Sequence, residues 1–189
     1  MKVRDSSMPD ENTWNSLFNI DLILRELLIN SKIEHLVEIG CGNGTFTLPA
    51  AKLVSGKLYA FDIEENMIEC VRSKIVEHQI NNIILSHADI LSQTTGLRHE
   101  SVDYVMLFNI LHHESPQDFF DECCRILKPK GRIGIIHWRS DIATPRGPEL
   151  SIRPKPQQIV EWINKTQFDI EITPFILEPF HYGLVVVKK

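Results

Sequence analysis

The feature that most constrains this chain is the stretch from His35 to Thr45, where a short apolar run, Leu36-Val-Glu-Ile39, delivers three glycines at alternate positions, Gly40, Gly42 and Gly44. A short apolar run broken by glycines is the form of a buried parallel strand feeding a tight turn. Glycine lets the backbone turn sharply and approach a ligand closely, and a helix that follows offers unpaired N–H groups. The stretch therefore asks for a covered sheet and a helix from about Thr45 to Val54.

The rest of the chain repeats this rhythm. Residues 57–61 read as a second strand ending at Asp62, and residues 64–79 carry apolar side chains at 67, 68, 71, 75 and 76, a helical stripe. A third strand over 82–86 and a fourth over 101–108 follow, joined by a polar connection that holds Gly96. Pro116 opens a helix that runs to Leu127, and Lys128-Pro-Lys-Gly131 closes it before a fifth strand over 132–138. Residues 139–156 hold four prolines and Gly147 and read as a long loop. A helix over 156–165 and strand-like runs over 168–176 and 181–189 complete the chain. Upstream, Trp14, Leu17, Phe18, Leu24 and Leu28 set out an amphipathic helix over 13–32, after a polar tail over 1–12. Alternation of this kind favours an α/β architecture, a sheet covered by helices on both faces, and the 189 residues suit one domain over 1–189.

Composition narrows the partners. No stretch approaches the roughly 18 apolar residues of a membrane span, and residues 1–11 lack the apolar core of a secretory signal, so a cytoplasmic protein is expected. The cysteines at 41, 70, 123 and 124 show neither Cys-x-x-Cys spacing nor the density of a disulfide scaffold. A net charge of -5 argues against bulk attraction to nucleic acid. The core pattern uses most of the chain and leaves only the N-terminal helix and the loop over 139–156 to build a partner site, so a small-molecule partner is expected.

The glycine spacing separates ligand classes. The dinucleotide fingerprint G-x-G-x-x-G requires glycine at 45, where this chain has Thr45, whereas G-x-G-x-G is satisfied; a nicotinamide-dependent oxidoreductase is disfavoured. Asp62, at the end of the next strand and 18 positions beyond Gly44, adds a carboxylate where open α/β sheets bind ligands, placed to accept from both ribose hydroxyls.

Residues 37–45, Asp62, His87-Ala-Asp-Ile90 and Leu127-Lys-Pro-Lys-Gly131 resemble, in order and spacing, the motifs of class I S-adenosylmethionine-dependent methyltransferases, in their small single-domain form of type 11 or 25. The resemblance covers residues 33–138. It implies a Rossmann-like doubly wound sheet of seven strands, mostly parallel with the last strand antiparallel, S-adenosylmethionine as cofactor, and methyl transfer as the activity. By the same resemblance Glu38 approaches the cofactor's amino group, and the loop Gly40, Cys41, Gly42, Asn43 and Gly44 lines its methionine and ribose portions. Asp62 holds the ribose, Ile63 and Met67 cover the adenine, Asp89 with Ile90 reads the adenine edge, and Asn109 faces the methionine end. For Met67 plain helix core is the competing reading, and for Asp89 a turn cap.

The acceptor is less constrained. Methyl transfer is an in-line displacement that needs alignment and exclusion of water more than a fixed catalytic side chain. His112 and His113, just after the fourth strand, are the candidate bases for an acceptor that must lose a proton; the other reading makes them plain loop residues. With Glu114 they give three potential ligands in one loop and no further His or Cys at metal spacing, so no metal is expected. The loop over 139–156 carries Arg139, Arg146, Arg153 and Lys155 against Asp141 and Glu149, which suits either a small acceptor with an acidic group or a solvated charged loop. A fold that holds the cofactor in a regulatory role without turnover stays open beside the enzyme.

Overall fold

The computed structural model describes residues 11–163 and 167–189. The expected tail over 1–10 and the end of the helix expected over 156–165, residues 164–165, lie outside the described residues.

Seven strands form one sheet: β1 (His35–Ile39), β2 (Lys57–Asp62), β3 (Ile83–His87), β4 (Val102–Phe108), β5 (Leu127–Trp138), β6 (Phe168–Leu177) and β7 (His181–Lys188). Their order is β3-β2-β1-β4-β5-β7-β6, so the chain reverses its direction of travel across the sheet between β1 and β4. The pairs β1–β2, β2–β3, β1–β4 and β4–β5 are parallel, and β7 inserts antiparallel to both β5 and β6. This is the doubly wound sheet that the alternation calls for, with the reversed last strand that the family resemblance implies.

Burial explains why the central strands read as unbroken apolar runs. In β4, Tyr104, Met106 and Phe108 face one layer while Val105 and Leu107 face the other, and all five are buried. The first layer holds α2 (Ile20–Glu26), α3 (Thr47–Leu53) and α4 (Glu65–Glu77); the second holds α5 (Ile90–Gln93), α6 (Pro116–Ile126) and α7 (Pro156–Ile163). Both faces of the sheet are thus covered, the condition under which parallel strands lose their polar alternation. The edge strands β3 and β6 keep partly exposed positions along their length, as strands paired on one side only do.

Three expectations need correction. The helix expected over 13–32 is two short helices, α1 (Glu11–Asn15) and α2, so it also begins inside the tail expected over 1–12. Between them Leu17 and Phe18 turn into the core, and the Asn19 side chain caps α2 by accepting from the Leu22 N–H at 3.2 Å. The polar connection after β3 contains the four-residue α5, whose cap is Asp89, accepting from the Leu91 N–H at 3.2 Å. The Lys128-Pro-Lys-Gly131 stop is absorbed into β5 as a register shift against β4, with Lys130 at a positive φ of 66°. The loop over 139–156 is irregular as expected, apart from one 3-10 turn at Leu150–Ile152.

Candidate active site

A cavity of about 410 Å³ opens at the carboxyl ends of β1 to β5, across the β1–β4 reversal. That volume lies within the range of small-molecule sites, and the reversal point is where open α/β sheets place them.

One half of the cavity is built on the glycine loop. Gly40 has φ +80°, and a Cβ there would lie 2.8 Å from the Ile110 side chain, so only glycine allows the loop to pass this close to the β4 end. The N–H groups of Gly40 and Cys41 both donate to the Phe61 carbonyl, at 2.8 and 3.0 Å. Asp62 then fixes the turn from the side: Oδ2 accepts from the Gly42 N–H at 2.8 Å and Oδ1 from the Glu64 N–H at 2.9 Å. Each oxygen keeps acceptor capacity, since a carboxylate has about four lone-pair sites. Burial raises the Asp62 pKa, against the pull of these N–H donors. Glu38, 2% exposed on β1, is bonded at 2.5 Å by the Thr47 hydroxyl; burial pushes its carboxyl up to about 8, and the Asp62 charge adds to the shift.

Eleven of the residues singled out from sequence line the cavity: Glu38, Gly40, Cys41, Gly42, Asp62, Ile63, Asp89, Ile90, Asn109, His112 and His113. Asn43, Gly44 and Met67 do not. The Asn43 carbonyl accepts from Lys74 Nζ at 2.6 Å and its side chain lies 2.7 Å from the Thr45 hydroxyl, so it braces the loop from behind. Gly44 faces Leu48 and Val71, where a Cβ would meet their methyl groups at 2.7 and 3.2 Å. Met67 lies on α4 and is not among the residues that line the cavity. Thr45 itself, at the position where the dinucleotide fingerprint has glycine, is buried and also reaches Asn15 Oδ1 at 2.7 Å, tying α1 to the loop. Asn109 adopts φ +58°, a conformation asparagine tolerates, and its buried Oδ1 has no hydrogen-bond partner among the described residues.

The other half is aromatic. Trp14, Phe46, Phe108 and Trp138 line it, drawn from α1, the α3 entry, β4 and β5. They hold one another edge-on, with Phe46–Phe108 ring centroids 4.9 Å apart and Trp14–Trp138 5.9 Å apart. Sequence reasoning missed this wall, because its members are far apart in the chain and nothing but the sheet order brings them together. It also missed His137 and His181. His137 is fully buried on β5, its Nε2 lying 3.3 Å from His112 Nδ1 and its Nδ1 3.3 Å from the Trp138 carbonyl. His181 stacks on Phe18 and lies tilted against Trp138. Burial lowers the His112 pKa to about 4, with His113 and Arg153 adding to the shift and the Asn109 backbone opposing it. His113 Nδ1 accepts from the Ser115 N–H at 3.1 Å. Among the described residues no group of three or more His, Cys, Asp or Glu side chains is arranged to hold a metal ion.

The cations of the long loop divide sharply. Arg153 is 7% exposed and donates to the carbonyls of Pro148, Arg139 and Arg146 at 2.7, 2.9 and 3.3 Å while lying over the Trp138 ring. Arg139 pairs with Asp141 at 2.9 Å. Only Arg146, of the four basic residues, reaches the cavity, beside Gly147 and Pro148. Gly147 packs flat on Trp138, where a Cβ would come within 2.8 Å of the ring.

A doubly wound sheet with a glycine loop, an acidic residue ending the second strand and a cavity at the reversal point defines a cofactor-binding α/β enzyme class. Within it, the family described as methyltransferase domain, type 11, matches residues 37–135, more than half of the chain. This chain belongs to that family, the class I S-adenosylmethionine-dependent methyltransferases, and S-adenosylmethionine is the cofactor its membership assigns. Among solved structures, it is similar to an S-adenosylmethionine-dependent methyltransferase from Aquifex aeolicus, at 19% identity over 95% of each chain with a TM-score of 0.85. It is also similar to a protein described as a type 11 methyltransferase from Sulfolobus solfataricus, at 28% identity over 89% of this chain and 90% of that one, TM-score 0.71. Among curated proteins it is similar to the demethylmenaquinone methyltransferase of Listeria monocytogenes serotype 4a, 24% identical over 144 residues, or 71% of this chain. The chain spans 60% of the length of that relative. No helix among the described residues is long and apolar enough to cross a membrane.

Proposed function

We propose that this chain transfers a methyl group from S-adenosylmethionine to a small-molecule acceptor with a flat, largely apolar body. The observation that carries the reading is the division of one cavity into a half edged by Glu38 and Asp62 and a half walled by Trp14, Phe46, Phe108 and Trp138. The named substrate of the curated relatives, demethylmenaquinone, is an acceptor of this kind.

The residues of the first half fit the cofactor. Asp62 would hold the ribose hydroxyls on its remaining lone pairs, charge-assisted bonds of roughly 1.5–3 kcal/mol. Ile63 and Ile90 would flank the adenine, with Asp89 at its edge. Gly40, Cys41 and Gly42 would follow the chain of the ligand toward Glu38, and Asn109 Oδ1, without a hydrogen-bond partner among the described residues, would accept from the amino-acid end. When bound, the cofactor supplies an electrophilic methyl group on a sulfonium. The protein's part is alignment and dryness: Trp138 and Phe46 exclude water, and Arg153 holds the loop carrying Gly147 and Pro148 against the Trp138 ring.

The test is turnover. S-adenosylhomocysteine release is measured with a short-chain demethylmenaquinone, oxidised and reduced, beside small phenols, aliphatic carboxylic acids and a mixed protein substrate. Turnover confined to flat apolar acceptors is expected; turnover confined to the acids or to protein contradicts the reading.

A further inference from the structure

We infer that His137 is a positioning residue: it holds the ring proton of His112 on Nδ1 and leaves His112 Nε2 as the proton-accepting atom of the acceptor half. The inference rests on the reading of the cavity as a methyl-transfer site, and it narrows the acceptor to one whose reacting oxygen or carbon carries a proton.

The argument follows from which atoms can donate. A backbone carbonyl only accepts, so the contact of His137 Nδ1 with the Trp138 carbonyl at 3.3 Å places the His137 proton on Nδ1. His137 is wholly buried within β5, between the antiparallel β7 and the parallel β4, and burial holds it neutral, with His112, His181 and Arg153 adding to the shift. A neutral ring with its proton on Nδ1 presents a bare Nε2. That Nε2 lies 3.3 Å from His112 Nδ1 and offers it a lone pair, which makes Nδ1 the donor; the Asn109 backbone is the other hydrogen-bond partner of the His112 ring. His112 is neutral near pH 7 too, since its pKa lies at about 4, so its single ring proton is spoken for and Nε2 carries the lone pair. His112 lines the cavity beside Asn109 and Trp138.

The same reasoning sets His113 aside. A backbone N–H only donates, so the Ser115 N–H engages the lone pair of His113 Nδ1 at 3.1 Å and puts the His113 proton on Nε2. Two adjacent histidines that sequence alone leaves equivalent are therefore opposite in sense: His112 presents an acceptor and His113 a donor. The rings differ in setting as well, His112 lying edge-on to His137 and His113 edge-on to Phe119.

In the reaction, His112 Nε2 takes the proton from the acceptor's O–H or C–H. The electron pair left on that atom forms the bond to the methyl carbon, and the carbon–sulfur bond breaks with its pair staying on sulfur. Charge balances, because the cation lost at the sulfonium reappears as the imidazolium. A buried ring of low basicity accepts the proton only as the new bond forms, which ties proton removal to methyl transfer.

Long-range proton–nitrogen correlation spectra of the uniformly nitrogen-15-labelled protein at pH 7.5 read the tautomers directly, with no acceptor needed. Wild-type protein is expected to show both His112 and His137 in the Nδ1–H form and His113 in the Nε2–H form. His137→Leu removes the acceptor and should turn His112 toward the Nε2–H form that an unconstrained imidazole prefers, whereas His137→Gln, whose amide oxygen accepts, should keep Nδ1–H. A wild-type His112 in the Nε2–H form overturns the inference, as does a folded His137→Leu variant with His112 unchanged. Should leucine at 137 prevent folding, the wild-type spectrum decides by itself. S-adenosylhomocysteine titrated into the same sample keeps the two readings apart: absence of binding with the tautomers as stated contradicts the cofactor site and leaves the histidine arrangement standing.

Discussion

Around Asp62 the cavity is made of backbone and two carboxylates held within one strand–turn–helix unit and its neighbour, while around Trp138 it is made of large side chains contributed by four separate elements. The first half is rigid by construction: the Gly42 and Glu64 N–H groups lock Asp62, and Thr47 locks Glu38. The second half depends on a long loop that has only a single 3-10 turn of its own and is fastened by one buried guanidinium. On the proposed reading the contrast bears on specificity: a cofactor common to a family would be met by short-range geometry, and an acceptor particular to one member by side chains and a loop that can vary without disturbing the sheet.

The largest expected effect attacks the loop. Arg153→Met keeps the apolar stem over Trp138 but removes the carbonyl bonds, and is expected to destabilise the protein by about 3 kcal/mol or more, given that each of the two short bonds, to Pro148 and Arg139, is worth at least about 1.5 kcal/mol. Limited proteolysis should then cut between residues 139 and 153 while S-adenosylhomocysteine affinity stays unchanged; a matching loss of that affinity would show that the halves are not independent.

Next comes the opposite half. Asp62→Ala should weaken cofactor binding by tenfold or more, about 1.5–3 kcal/mol, with the chain still folded and the loop still protected from protease. Wild-type affinity in this variant removes Asp62 from the ribose site.

Glu38 gives a smaller effect with a definite sign. Its carboxyl titrates at about 8 in the folded protein against 4.5 ordinarily, so between these values the native state holds more protons than the unfolded chain, and stability falls as pH rises through that window. Glu38→Gln removes the titration. Its unfolding midpoint should vary less between pH 5 and 8 and exceed that of the wild type at pH 8 by about 4 °C, the shift expected for 1–2 kcal/mol in a domain of this size. A variant no more stable than wild type at pH 8 contradicts the assignment. The smallest effect is Arg139→Ala, which breaks an exposed pair with Asp141 and should leave both the melting temperature and cofactor affinity unchanged.

The legibility of the sequence follows the same division. β1, the glycine loop, β2 and Asp62 were readable because apolar runs, glycine spacing and one acidic position are local signals. Met67 and Gly44 show the limit of that reading: both belong to the expected elements, yet neither lines the cavity, and Gly44 faces Leu48 and Val71. Asp89 caps α5, as its cap reading expects, and also lines the cavity, which leaves its placement at the adenine edge a proposal. The helix expected over 13–32 breaks because Leu17 and Phe18 gain more from the core than from helical continuity, and a periodic stripe does not reveal that choice. Trp14, Phe46 and Trp138 carry no local signal of a shared wall, and His137 reads as one more residue of a buried strand until the register of β4, β5 and β7 sets its neighbours.

The most direct test of the central claim is calorimetric titration of the purified protein with S-adenosylmethionine, S-adenosylhomocysteine and NAD in parallel. Micromolar binding of the first two and none of NAD is the predicted result. Binding of NAD alone, or of none of the three, would contradict a cofactor site built on Gly40 to Gly44 and Asp62.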